Sequence, residues 1–126
     1  MATSELTGEK FMETIEADGI VLVDFWAAWC GPCRQLGPIF EAASEKYPDI
    51  TFKKVDTEQE QHLSGSLGIT SIPTLMAFRD GILLFSQPGA LPAPGLEQVI
   101  EAVQGADMDD IRAKIAEQES AQQTQA

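Results

Sequence analysis

The spacing of apolar residues changes period along the chain, and each change marks an element. Phe11 and Ile15 stand i, i+4 behind Thr7, a candidate N-cap, which predicts a first helix from about Gly8 to Ala17. Asp18-Gly19 reads as a turn. Ile20 to Trp26 is a continuous, partly β-branched apolar run, the pattern of a strand buried on both faces. Leu36, Ile39, Phe40 and Ala43 then return to helical spacing, predicting a helix from about Cys30 to Lys46. Pro32 suits the first turn of that helix, and Pro38 inside it should kink it. Ile50 to Val55 reads as a strand, and Gln59 to Leu67 as a weaker helix interrupted by Gly65. Thr74 to Arg79 and Ile82 to Phe85 read as two strands joined by the hairpin signal Asp80-Gly81. Leu96 to Gln104 completes a helix stopped by Gly105. This order predicts an α/β fold, a central mixed sheet of four to five strands flanked by helices, parallel in part with an antiparallel edge.

Beyond Gly105 the pattern thins. Asp107 is a candidate N-cap, and Met108, Ile111 and Ile115 form a narrow apolar stripe on a surface helix expected to lie on its own domain. Gln118 to Ala126 holds only Gln, Ser, Thr, Ala and Glu, so disorder is expected there. The expected division is a domain over 1–105 and a helical extension with a disordered tail over 106–126.

One residue breaks the apolar logic of the second element. Asp24 stands inside a strand expected to be fully buried, where a carboxylate is costly unless paired, protonated or functional. Composition narrows the chemistry around it. The chain of 126 residues suits one domain, and its net charge of −12 disfavours nucleic acid and anionic lipid as partners. No segment is long enough to span a bilayer, and the polar start carries no secretory pattern, so a cytoplasmic location is expected. Two cysteines and one histidine, His62 in a polar stretch, are too few for a structural zinc site. No metal is expected, and His62 reads as a solvated surface residue.

The two cysteines are Cys30 and Cys33, in Trp29-Cys30-Gly31-Pro32-Cys33. Cysteines at i and i+3 on a helix start can close a disulfide. The first meets converging N–H groups and the positive end of the helix dipole, which favours its thiolate. Cys30 is then the attacking thiolate and Cys33 the resolving thiol of a dithiol–disulfide exchange. A lone CxxC also fits metal ligation or chance; a buried strand before it and a helix opening on it favour redox chemistry.

Val23-Asp24-Phe25-Trp26-Ala27 followed by Trp29-Cys30-Gly31-Pro32-Cys33-Arg34 resembles the bacterial-type thioredoxin family. Ile72-Pro73-Thr74 is similar to that family's cis-proline segment, and Asp80-Gly81 and Gly89-Ala90 to its hairpin turn and late glycine. The resemblance covers roughly Leu6 to Gly105. It implies a protein-disulfide reductase without a bound cofactor. Asp24 would exchange the proton of Cys33, and Pro73 would be a cis-proline facing the cysteines, keeping metals away. Trp29, Gly31, Pro32, Ile72, Pro73, Gly89 and Ala90 would form an apolar docking patch, with the Ile72 backbone free to pair with an extended client strand. Trp26 is assigned to the core or to packing near the site. Two positions depart from the family. Its lysine near the buried aspartate, four residues before the strand-ending Asp56, is here Phe52, with Lys53 and Lys54 close by. Arg34 replaces the more usual lysine and keeps the charge.

The resemblance further implies electrons passed from NADPH through a thioredoxin reductase to protein disulfides. Clients would include ribonucleotide reductase, methionine sulfoxide reductase or peroxidases, served by a monomer. Gly31-Pro32 is similar to the spacer of reducing members, whereas oxidases and isomerases of this fold typically carry a histidine there. A dithiol oxidase or isomerase, and a non-redox binding module, are the alternative readings.

Overall fold

The computed structural model describes the backbone of residues 2–125 and the side chains of residues 2–122. Its elements in chain order are β1 (Thr3–Glu5), α1 (Gly8–Glu16), β2 (Ile20–Trp26), α2 (Gly31–Lys46), β3 (Thr51–Asp56), α3 (Gln61–Ser66), β4 (Thr74–Arg79), β5 (Ile82–Pro88), α4 (Ala93–Gln104) and α5 (Met108–Gln125). The sheet runs β1-β3-β2-β4-β5. β1 and β2 pair with β3 in parallel, while β4 and β5 are antiparallel to their neighbours.

The continuous apolar run of β2 is explained by its place. It lies between β3 and β4 and is covered on both faces. Leu22 joins Phe52, Leu75 and Ala77 under α2 and α4, which contribute Phe40, Leu96 and Ile100 among others. Val21, Val23 and Phe25 face the other way, onto Phe11 and Ile15 of α1, with Val55, Met76 and Phe78 beside them. Alternation along a strand therefore puts Asp24 on the same face as Leu22, beneath α2 and α4.

Several boundaries differ from the pattern reading. β1 was not expected: Thr3–Glu5 is short and polar, and it forms only because the parallel edge of β3 offers it hydrogen bonds. Thr7 occupies the N-cap of α1, but its side chain makes no cap bond. The Gly8 N–H instead donates to Glu60 Oε1 at 2.7 Å. α3 is shorter than expected, and β5 runs on to Pro88 through ladder pairs that periodicity does not report. α4 starts three residues before Leu96, at Ala93. Its far end is closed by Arg79, whose Nη1 donates to the carbonyls of Val103, Gln104 and Ala106 at 2.9, 3.1 and 3.2 Å. These acceptors include carbonyls that a helix terminus leaves unpaired.

The β4–β5 connection is the expected tight hairpin. Asp80 and Gly81 both have positive φ, 53° and 82°, which this two-residue turn requires. Asp80 also accepts from the Gly19 N–H at 2.8 Å and from Arg112 at 3.2 Å. Arg112 thereby ties α5 to the hairpin, and Asp107 caps that helix through the Asp110 N–H at 3.1 Å. Met108 is buried, and Ile111 and Ile115 are half-buried, so the start of α5 does lie on its own domain. Over the segment from Gln118 where disorder is expected, α5 runs on to Gln125, and Ala126 lies outside the described residues. Its Ala, Gln and Glu are good helix formers. The described side chains beyond Ile115 are all exposed, so packing adds nothing to those turns.

Candidate active site

β2 delivers the chain to the carboxyl end of the parallel strands, and Ala27 to Trp29 carry it into α2. Cys30 is the N-cap of α2, with extended backbone at φ −86° and ψ 115°. Pro32 lies in the first turn, where its missing N–H costs nothing. Cys30 and Cys33 form a disulfide. The Cys33 N–H donates to Cys30 Sγ at 3.2 Å. Once the bond is reduced, that N–H and the dipole of a 16-residue helix both act on the Cys30 sulfur in favour of its thiolate. Both cysteines are nearly buried, at 3% and 5% exposure, so a partner must dock to reach them.

The structure brings most of the residues singled out in the sequence to this place. Ile72 packs with Ala27, Cys30 and Cys33, and its carbonyl oxygen lies 3.7 Å from Cys30 Sγ. The Ile72–Pro73 bond is cis. Pro73 is buried, and its carbonyl accepts from the Gly89 N–H at 2.8 Å, which holds the 89–90 turn against the same segment. Gly89 has φ 103°, a conformation open to glycine and strained for other residues. Trp29, Gly31, Pro32 and Gly89 are exposed, and Ala90 is half-buried. His62 is exposed, as expected for a surface residue.

Asp24 is fully buried, and neither carboxyl oxygen has a hydrogen-bond partner among the described residues. Burial pushes its carboxyl from 3.8 up to about 6; Lys54 opposes the shift and Glu5 adds to it. The strand register identifies the lysine that sequence left open. Lys54 is the direct β3 partner of Asp24 and so shares its face. Lys53 points to the other face, where its Nζ donates to Ser4 Oγ at 2.7 Å. The Lys54 ammonium lies 4.8 Å from the centroid of the Trp26 ring. Trp26 is half-buried beside the cysteines, and its Nε1 has no partner among the described residues.

Two features escaped sequence reasoning. Glu5 on the unexpected β1 pairs with Lys54, so Glu5, Lys54 and Asp24 form one row across three strands. A cleft of about 340 Å³ lined by Trp26, Cys33, Pro38 and Lys54 among others opens beside the resolving cysteine. A larger apolar groove of about 460 Å³ between β5, α4 and α5 includes none of the site residues, so chemistry and not cavity size locates the site. Among the described residues no group of His, Cys, Asp and Glu could hold a metal ion, and no helix is long and apolar enough to cross a membrane.

Comparison with known proteins agrees with this geometry. The family model for thioredoxin matches residues 2–102. The chain is 50% identical over 119 residues to a putative thioredoxin 2 of Streptomyces coelicolor, covering 94% of this chain and 89% of that one. It is 41% identical over 102 residues to a thioredoxin of Porphyra purpurea, covering 79% and 95%. Among solved structures, a thioredoxin of Plasmodium falciparum superposes with a TM-score of 0.73 at 33% identity, over 82% of this chain and 99% of that one. The thioredoxin of Malassezia sympodialis gives 0.72 at 30%, over 80% and 92%. With the fold, the Cys-Gly-Pro-Cys helix start and these relatives in agreement, the chain belongs to the thioredoxin family and is a protein-disulfide oxidoreductase acting by dithiol–disulfide exchange through Cys30 and Cys33.

Proposed function

We propose that this protein is a general reductant of protein disulfides in the cytoplasm. The observation that carries the reading is the redox pair itself: a buried Cys30–Cys33 disulfide at a helix start, spaced by Gly31-Pro32, with the Cys33 N–H on Cys30 Sγ. Family membership implies a thioredoxin reductase as electron donor and disulfide-bearing proteins as acceptors. The donor draws on NADPH, and the acceptors include ribonucleotide reductase, methionine sulfoxide reductase or peroxidases. No cofactor is held by the protein, which works as a monomer. Residues 1–105 form the redox domain and 106–126 a C-terminal extension, whose first turns pack on it through Met108, Ile111 and Ile115.

In the reduced protein the Cys30 thiolate attacks one sulfur of a client disulfide. A mixed disulfide forms and the first client thiolate leaves. Asp24, buried and without a hydrogen-bond partner among the described residues, accepts the Cys33 proton. The Cys33 thiolate then attacks Cys30 Sγ, closes the intramolecular disulfide and expels the second client thiolate. Two electrons have passed to the client, and the reductase restores the dithiol. Trp29, Gly31, Pro32, Ile72, Pro73, Gly89 and Ala90 make the docking face. The Ile72 carbonyl, 3.7 Å from Cys30 Sγ, is a backbone partner for an extended client strand.

The test is the equilibrium reduction potential of the Cys30–Cys33 couple. A value near that known for thioredoxins, about −270 mV, supports a reductant; one near the oxidant end, about −120 mV, makes the protein an oxidase or isomerase. Cys33→Ser should trap client proteins as mixed disulfides on Cys30. Failure to form either species leaves a non-redox binding module as the reading.

A further inference from the structure

The turn between β3 and α3 is fastened to the active-site loop at two points. At one, the Trp26 carbonyl accepts twice from Thr57, from its N–H at 2.9 Å and its Oγ1 at 3.0 Å. At the other, the Trp29 indole Nε1 donates to Glu58 Oε1. Glu58 is itself held on both sides. Its N–H donates to Asp56 Oδ1 at 2.9 Å, and its carbonyl accepts from Gln61 Nε2 at 3.0 Å.

Trp29 is 66% exposed, so packing does little to fix its ring. An exposed indole samples several rotamers unless something holds it. Here a carboxylate, anchored through its own backbone, holds the one polar atom the ring has.

We propose that Glu58 is a positioning residue for client docking: it holds the Trp29 indole in place beside Cys30, so that the docking face is formed before a client arrives. The inference rests on the docking role of Trp29 proposed above. Without the latch, the ring must be immobilised at each encounter, which weakens client binding roughly 2- to 12-fold. The exchange step does not change, because the helix start and the Cys33 N–H act on the cysteines independently of the indole.

The experiment compares Glu58→Ala, Glu58→Gln and Trp29→Ala in the full chain. Three readings are taken: KM and kcat for insulin reduction, the rate with the small disulfide 5,5′-dithiobis(2-nitrobenzoate), and the NMR hydrogen exchange of the Trp29 indole N–H. Glu58→Ala should raise KM for insulin by that factor, leave kcat and the small-disulfide rate unchanged, and speed indole exchange. Glu58→Gln keeps an acceptor oxygen and should restore all three. An unchanged KM in Glu58→Ala beside a raised one in Trp29→Ala overturns the latch and spares the docking face. Unchanged KM in both overturns the docking role of Trp29 and the latch with it. A Gln variant that behaves like Ala shows that charge and not the hydrogen bond acts, which also overturns the proposal.

Discussion

Asp24→Asn is the perturbation whose effect follows most directly from the structure. The carboxyl is fully buried, has no hydrogen-bond partner among the described residues, and holds its proton up to about pH 6 instead of the ordinary 3.8. Holding a proton more tightly when folded than when unfolded links stability to pH. Below 3.8 both states are protonated and Asp24 adds no pH dependence. Between 3.8 and about 6 the unfolded chain loses the proton while the folded one keeps it, so stability falls as pH rises. Above 6 the loss is complete. A difference of about two units amounts to about 3 kcal/mol of destabilisation at pH 8, an order-of-magnitude figure. Asparagine nearly matches the shape of the neutral acid and does not ionise. The variant should therefore resemble the parent near pH 3.5 and exceed it by about 3 kcal/mol at pH 8. Guanidinium unfolding of both proteins, disulfide intact, from pH 3.5 to 8.5 measures this. A gain of equal size at both ends would refute the argument, because it would come from packing and not from ionisation.

Lys54→Met removes the cation that opposes the shift, so the midpoint of that stability curve should move to higher pH; Glu5→Gln should move it lower. An NMR titration of the Asp24 carboxyl carbon reads both directly. Arg79→Ala removes the donor to two carbonyls at the end of α4 and to that of Ala106 just beyond it, and should cost about 2 kcal/mol in denaturant unfolding, against a few tenths for an ordinary surface arginine. Pro32→His puts a protonatable ring beside the Cys30 sulfur and should raise the reduction potential, by about 30 mV for each tenfold stabilisation of the reduced form. Equilibration with glutathione buffers would show it, and an unchanged potential would mean the spacer does not set the poise.

The elements with dense apolar patterns were legible, and those held by pairing were not. β2, α2 and the β4–β5 hairpin could be read because burial on both faces, helical spacing and Asp80-Gly81 each leave a local signature. β1 leaves none: Thr3, Ser4 and Glu5 are polar and become a strand only against β3. The same blindness hid part of the site. Cys30, Cys33 and Asp24 stand out because each violates or punctuates a local pattern. The choice of Lys54 over Lys53, and the presence of Glu5 in the same row, depend on register, which no single strand encodes. The Trp29–Glu58 contact joins residues 29 positions apart and carries no motif at all.

The cost of Asp24 itself argues for its proposed role. About 3 kcal/mol is a large share of the 5–15 kcal/mol by which a domain of this size is stable, and a valine or leucine in β2 would avoid it. What the carboxyl gains is a proton affinity between that of an ordinary aspartate and that of a free thiol near 8.5. A base in that range is mostly ionised at neutral pH yet strong enough to draw a proton from Cys33. The destabilising ionisation and the catalytic one are then the same event seen in two assays. The midpoint of the stability curve in the oxidised protein and the acid limb of the resolving step should both follow Asp24, and Lys54→Met and Glu5→Gln should move the two in the same direction. If those substitutions moved the stability midpoint and left the resolving step in place, Asp24 would be a burden on the fold and no part of the exchange.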